Sequence, residues 1–428
     1  MAPPSVFLSP TSVPSVSSVV NRSAHRIATD AEALAVAREV AALLAPDAIA
    51  RDRERRKPLA ELDLLSARGL LALTVPRSHG GADVSAETLV QVFQILAAAD
   101  PAVAQLPQSH FVFLNALRED GNDAQKLFFF EKILAGARLG NAQAERGSAS
   151  ALDLKTRLRA APSSSEFPGN AFVLDGTKHY TTGALFAHWL PVAAIDDAGR
   201  LVLAYVPRDA PGVELLDDWN ALGQRSTYSG TAHFRSVPVP AGQVVAHWRL
   251  FDRPATFHSF AQLLHAAIDV GIAENALADT VASVRARKRP RLGAPVAAAT
   301  EDPLLLHRLG QLYTKFHAAE GLLLRAARAH DAAGPRPTAE AAALAAVLAG
   351  EAKAYAEDVS VEIASELFAL LGTSASDESL GLDRHWRNAR VHSVHDANQW
   401  RYHASGNWFL NTVAPGKPVR RLDTDNAR

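Results

Sequence analysis

The densest group of side chains able to do chemistry lies near the end of the chain, in Asp383-Arg384-His385-Trp386-Arg387-Asn388-Ala389-Arg390-Val391-His392-Ser393-Val394-His395-Asp396. Imidazole titrates near neutral pH, so these histidines could move a proton or bind a metal. His392 and His395 are three apart and would share a face if a helix ran through both. A metal would need a third ligand, and on such a helix Asp396 points elsewhere, so no metal site is assigned. The plainer reading is a polar helix at a subunit contact. Against it, histidines and arginines are costly to bury together unless each is paired.

Other chemistries are excluded by what is missing. The 428 residues contain no cysteine, which rules out disulfides, thiolate zinc sites, iron–sulfur clusters and cysteine nucleophiles. There is no Gly-x-Gly-x-x-Gly or P-loop phosphate cradle, no Gly-x-Ser-x-Gly elbow and no Glu-x-x-His pair of a carboxylate-bridged di-iron bundle. A net charge of −1 gives no overall attraction for nucleic acid or an anionic membrane. Zero cysteine suits a cytoplasmic protein. Residues 1–25 are rich in Pro, Ser and Val without a basic segment before an apolar run, and read as a disordered leader rather than a secretory signal.

The elements that must position the histidines fall into three blocks: 26–136 helical, 137–248 a small β domain, and 249–428 a helical bundle. In the first, Ala33, Val36, Val40, Leu43 and Leu44 form one helical face, and Val75-Pro76-Arg77-Ser78-His79-Gly80-Gly81 breaks to a loop. In the second, short apolar runs alternate with turn residues. Asp175-Gly176 after Ala171–Leu174 predicts a hairpin turn, and Ser163 to Asn170 a loop. In the third, Leu309, Leu312, Phe316, Ala319, Leu323 and Ala326 keep the spacing of a buried helix face, and Thr338 is placed to cap another helix. The fold class is α+β, mainly α.

Five segments in order resemble the acyl-CoA dehydrogenase superfamily, in its flavin monooxygenase branch: the dibenzothiophene monooxygenases and the SfnB-type sulfur-acquisition oxidoreductases. They are Gln105-Leu106-Pro107-Gln108-Ser109-His110-Phe111, Gly140 to Glu145, Gly176 to Gly183, Asp218 to Arg225, and Leu382 to Asp396. The resemblance implies an N-terminal helical domain, a β-barrel-like middle domain and a C-terminal four-helix bundle, in a homotetramer. It also implies a separate flavin reductase that supplies reduced FMN, and a small, sulfur-containing substrate oxygenated through a flavin C4a-hydroperoxide. Where thioester dehydrogenases of the superfamily carry a catalytic Glu, this chain has Asp396, with His395 in the neighbouring Tyr position.

On that resemblance, His395 is the expected peroxide partner, with His110 and His392 in support. Asn141 and Thr182 would lie near the isoalloxazine, Trp219 against the ring, and Ser229 and Arg289 at the phosphate. Trp219 could instead be a domain-interface core residue, and Arg289 part of a solvated basic loop. Dibenzothiophene-oxidising relatives carry Gly-Ala-Arg-Gly where this chain has Gly372-Thr373-Ser374-Ala375, so the charge on that arginine is missing and FAD stays open beside FMN. Two other readings remain: a thioester dehydrogenase with FAD and Asp396 as base, and a non-catalytic flavin-binding protein.

Overall fold

The computed structural model describes residues 24–147, 153–161, 171–287, 289–290 and 293–415. The leader up to residue 23 and the loop expected at Ser163 to Asn170 lie outside the described residues.

Among the described residues six α-helices come first: α1 (Asp30–Leu44), α2 (Ala48–Glu54), α3 (Leu59–Ala67), α4 (Ala86–Ala99), α5 (Pro101–Asp120) and α6 (Asp123–Leu134). Their starts are set by caps that satisfy otherwise orphaned N–H groups. Thr29 accepts from Glu32, Ser85 from Thr88, Asp100 from Ala102 and Val103, and Asn122 forms a capping box with Gln125. The buried face of α1 is Ala33, Val36, Ala37, Val40 and Leu44. Leu43, expected on that face, is 59% exposed, because a step of roughly 100° separates it from Leu44 and the row facing the core passes through Leu44.

Arg51, only 2% exposed, locks this block. Its guanidinium donates to the Asp100 carboxylate at 2.7 Å, to Glu61 at 2.7 Å and to the Leu44 carbonyl at 2.8 Å. One cation thereby joins the end of α1, the first turn of α3 and the N-cap of α5.

The middle block is a seven-stranded sheet in the order β5-β6-β2-β1-β3-β4-β7. The strands are β1 (Arg157–Ala160), β2 (Ala171–Lys178), β3 (Trp189–Asp196), β4 (Leu201–Pro207), β5 (Val213–Leu215), β6 (Ala232–Pro240) and β7 (Val244–Val245). All pairs are antiparallel except β1 with β3. Alternation along β3 and β4 buries both faces. Leu190, Val192, Ala194, Val202, Ala204 and Val206 build the sheet's own core, while Ala193, Leu203 and Tyr205 join the helical core. The Tyr205 hydroxyl donates to Phe113 O of α5 at 2.8 Å, which ties sheet to helices.

Asp175-Gly176 is not a hairpin turn. It lies inside β2, where the register with β6 shifts between Leu174 and Gly176. A Cβ on Gly176 would sit 2.3 Å from the Thr156 hydroxyl, and the Asp175 carboxylate accepts from Ser236 N–H at 2.8 Å. The dipeptide serves a bulge and a close approach rather than a chain reversal.

Three long helices follow, α7 (Phe257–Ala286), α8 (Pro303–Ala333) and α9 (Ala339–Leu371), then the shorter α10 (Asp383–Ser393) and α11 (Gln399–Asn411). Thr338 caps α9, and Leu312, Phe316, Ala319, Leu323 and Ala326 are the buried row of α8. α7 packs tightly on α4: a Cβ at Gly271 would lie 2.6 Å from Ala97 Cβ. Among the described residues no helix is long and apolar enough to cross a membrane.

Replacing Arg51 with Met strands Asp100 and Glu61 without their cation. Breaking a buried pair from one side costs about 3–5 kcal/mol. The variant should unfold at markedly lower urea concentration and temperature than the parent, and an unchanged midpoint would show that Arg51 is not the lock described.

Candidate active site

α10 is held by paired polar groups on its buried side. His385, Asn388 and His392 follow the 3,4 spacing of one helix face, and all three are buried. The Asp279 carboxylate of α7 accepts from His385 Nε2 at 2.8 Å and from Arg384 at 2.7 Å. Burial alone would raise Asp279, but His385 and Arg384 hold it at about 2. Arg387 reaches Asp52 of α2 at 2.6 Å and Asp383 at 2.7 Å. The Asn388 side-chain oxygen accepts the backbone N–H of Gln224 at 2.6 Å, which joins α10 to the β domain.

One turn further, the histidines meet. His392 is wholly buried: Nδ1 lies 2.9 Å from Asp269 of α7, and Nε2 lies 3.0 Å from Nδ1 of His265, also on α7. The helix stops at Ser393, so His395 stands in the turn before α11 and not on the shared helix face expected above. There its Nδ1–H donates to the His392 carbonyl at 2.6 Å, and its ring stacks on His265 with centroids 4.2 Å apart. This fixes the tautomer of His395 and, among the described residues, leaves Nε2 without a partner and open to a ligand. The His395 side chain keeps 34% of its exposure, whereas Glu357, whose carboxylate lies 4.0 Å from Nδ1, keeps none. Lys353 pairs with Glu357 at 2.6 Å beneath the cluster. Burial pushes His392 down to about 4 and Glu357 up to about 7. Among the described residues no three such groups are arranged to hold a metal ion.

Four of the other expected site residues come together on the β domain. Thr182 and Ser229 share a hydrogen bond of 2.7 Å, and Ser229 and Thr227 another of 2.8 Å. The backbone N–H of Asn141 donates to Thr182 O at 3.0 Å. Trp219 is half-buried, and its indole N–H donates to Gln224 O at 3.0 Å. The loop carrying Trp219 and Ser229 is strained. Gln224 and Tyr228 have φ of 49° and 47°, a region non-glycine residues rarely adopt. Asn388, bonded to Gln224, and Arg55 O, which accepts from the Tyr228 hydroxyl, hold it there. Gln224 is 1% exposed, and among the described residues neither its amide oxygen nor its amide nitrogen has a partner. Two further unpaired buried atoms, Gln105 Oε1 and Ser109 Oγ, belong to α5, whose Leu106 carbonyl abuts Gly183.

Two expected residues stand apart. His110 is buried on α5 with both nitrogens committed to backbone: Nε2 lies 2.7 Å from Leu71 O, and Nδ1 accepts from Leu139 N–H at 3.0 Å. Burial pushes it down to about 4. Arg289 is exposed in the connection between α7 and α8. Near that connection Arg287 donates to Leu371 O at the end of α9, which the Ser374 hydroxyl also approaches at 3.4 Å, so a cation does stand beside Ser374.

Asp396 is poorly placed to act as a base. Its carboxylate accepts from Arg401 and from Ala397 N–H, with Lys353 3.8 Å away. Burial alone would raise it, but Arg401 and Lys353 hold it at about 2.

His265, Asp269, Lys353 and Glu357 complete the cluster and were not singled out in the sequence. A signal was present: His265 and Asp269, and Lys353 and Glu357, are two i,i+4 polar pairs inside otherwise apolar helical rows. What the sequence does not show is that α7 and α9 turn these pairs toward one another.

Residues 30–137 match the acyl-CoA dehydrogenase N-terminal domain, and residues 263–400 the acyl-CoA dehydrogenase C-terminal domain. The chain is 32% identical over 391 residues to the probable FMNH2-dependent monooxygenase SfnC of Pseudomonas putida, covering 90% of this chain and 96% of that one. It is 32% identical over 410 residues to a dibenzothiophene monooxygenase of Rhodococcus erythropolis, covering 91% and 96%. The structure of TdsC from Paenibacillus sp. A11-2 with FMN and indole superposes with a TM-score of 0.83 at 28% identity, covering 90% of this chain and 99% of that one.

The buried histidines make stability depend on pH. His110, His385 and His392 have folded values of about 4 against an ordinary 6.5. Below 6.5 the unfolded chain takes up protons that the folded chain refuses, so stability falls as pH falls from about 6.5 towards 4. Thermal unfolding should show a midpoint that is level above that range and declines through it. A flat profile down to about pH 4 would contradict the neutral, buried assignment.

Proposed function

The chain belongs to the acyl-CoA dehydrogenase family, and from that premise we propose that it is a two-component flavin-dependent monooxygenase, which uses reduced FMN and dioxygen to oxygenate a small organosulfur compound. The observation that carries the reading is the pair His395 and Asp396. A thioester dehydrogenase needs a free base within reach of the substrate's α-proton. The carboxylate here is tied to Arg401, while the neighbouring imidazole has its Nδ1–H locked and its Nε2 open.

The residues fit FMN. A flavin ring carries donors and acceptors along one edge, and the elements meeting at Gly183 offer the hydroxyls of Thr182, Thr227 and Ser229 together with the unpaired buried amide of Gln224. Trp219 would supply an aromatic face, Asn141 would orient the Thr182 loop, and Arg289 with Arg287 would bring cationic charge for the phosphate. Bound reduced FMN supplies the electrons and activates dioxygen; the protein must place it, exclude water and manage a proton. His395 Nε2, bare while its Nδ1–H is held by the His392 carbonyl, is the group that would accept that proton and hand it on at the reacting centre. His392 fixes His395 from below through its carbonyl, and His110 supports the wall of the site through Leu71 and Leu139.

A separate flavin reductase would deliver reduced FMN by diffusion. Exposed apolar residues on α11, with Trp400 at 69% and Leu410 at 82%, support burial against further copies in a homotetramer. The lack of cysteine is in keeping with a cytoplasmic protein.

The test supplies reduced FMN anaerobically and then oxygenated buffer with dibenzothiophene or a small sulfone. The parent should give one oxygenated product per reduced flavin. His395→Phe should bind FMN as before but lose product by about 100-fold or more and release hydrogen peroxide instead. Unchanged turnover in that variant would sink the assignment, and flavin bleaching by an acyl-CoA would favour the dehydrogenase. Trp219→Ala should weaken FMN binding about tenfold, the loss of one aromatic contact. Light scattering should report a mass near four chains, and a monomer would refute the assembly.

A further inference from the structure

We propose that Asp269, His392 and His265 form a buried proton relay, which stores one proton on Asp269 and exchanges it through the outer ring nitrogen of His265, against which His395 stacks. The three groups are in line: Asp269 Oδ1 to His392 Nδ1 at 2.9 Å, then His392 Nε2 to His265 Nδ1 at 3.0 Å. His392 and Asp269 are wholly buried, so His392 cannot touch a ligand and can act only through its two partners. Among the described residues His265 Nε2 makes no hydrogen bond, which leaves it as the outer end of the line.

Each bond in the line can be made in two directions, and the two must switch together. In the loaded state Asp269 is a carboxylic acid whose O–H donates to His392 Nδ1. His392 Nε2–H then donates to His265 Nδ1, and His265 carries its own proton on Nε2. In the discharged state Asp269 is a carboxylate accepting from His392 Nδ1–H, His392 Nε2 accepts from His265 Nδ1–H, and His265 Nε2 is bare. Passing between them releases one proton from His265 Nε2, moves the His392 Nε2 proton to His265 Nδ1 and moves the Asp269 proton to His392 Nδ1. No electrons are exchanged, and neither imidazole becomes a cation at either end of the cycle.

Burial selects the loaded state at rest. It pushes Asp269 well above the ordinary carboxylate range and both imidazoles below theirs. The charged groups facing the line make discharge attainable. Lys353 of α9 acts on Asp269, His392 and His265, and is shared with Glu357 at 2.6 Å and Asp396 at 3.8 Å. Ser360 of α9 stands by Asp269, Arg401 of α11 and His395 face His265, and Glu357 faces His392. A carboxylate formed on Asp269 would therefore sit in the field of the Lys353 ammonium, and the proton would leave from His265, the ring against which His395 packs.

The use of this proton in oxygenation rests on the function proposed above; the stored proton itself does not. Infrared spectroscopy of the full-length, flavin-free protein at neutral pH reads the store directly. The parent should show a carboxylic-acid carbonyl band that moves on labelling aspartate with a heavy carbon isotope, shifts promptly in heavy water, and is absent in Asp269→Asn. His265→Asn keeps a side-chain carbonyl oxygen to accept the His392 Nε2–H but cannot pass a proton, so it should keep the band and exchange it at least about tenfold more slowly, as expected when a positioned proton-transfer group is lost. No aspartic-acid band in the parent, or equally fast exchange in His265→Asn, would overturn the relay. In the loaded enzyme, His265→Asn should lower product per reduced flavin about tenfold and flatten its pH profile, while His265→Gln, which also cannot relay, should not rescue it. An unchanged pH profile would overturn the relay's role in the reaction. Infrared results as expected in a protein that never oxygenates would instead overturn the function and leave the relay standing.

Discussion

The pairing of α10 with three surrounding elements is the constraint on which the site depends. This helix buries His385, Asn388, His392 and the stems of two arginines, a set that would oppose folding if left unpaired. Each is met by a fixed partner: Asp279 and Asp269 on α7, Asp52 on α2 and the Gln224 backbone in the β domain. A polar helix face held by partners on three elements has one register that satisfies all of them. Sliding α10 by one turn would leave several charges buried and alone, at a cost of several kcal/mol each.

That single register carries the geometry outward in two directions. Through Asn388 it holds the strained turn at Gln224 to Tyr228, and with it Trp219, Thr227 and Ser229. Through His392 it sets the carbonyl that locks the tautomer of His395. The proposed flavin contacts and the proposed proton group are therefore positioned by one short helix, although they lie on different domains. Strain at Gln224 and Tyr228 persists because the surroundings over-determine it, as is common near functional sites.

The electrostatics follow from the same burial. Neutral histidines, a raised carboxyl at Asp269 and a lowered one at Asp396 stand within one cluster. Environments that push neighbouring titratable groups apart divide the labour of holding and releasing protons. Here the carboxylate beside Arg401 is withdrawn from base chemistry, and the imidazoles of His392 and His265 are kept uncharged, as the proposed relay requires.

The sequence by itself determined the class of fold, the order of helices, strands and helices, and the family. These depend on local pattern: caps such as Thr338, the apolar row of α8, the absence of cysteine, and five ordered segments. It also pointed to Asn141, Thr182, Trp219 and Ser229, which the structure gathers around one loop. Tertiary structure decided what local pattern cannot hold. Gly176 serves a bulge because Thr156, twenty residues away, needs the space. Leu43 faces water because α4 selects the adjacent row. His395 leaves the helix that its spacing suggested, His110 spends both nitrogens on backbone, and His265 and Asp269 reach His392 only because α7 passes beside α10. Spacing along a chain fixes which residues share a face, but only packing between elements decides what that face meets.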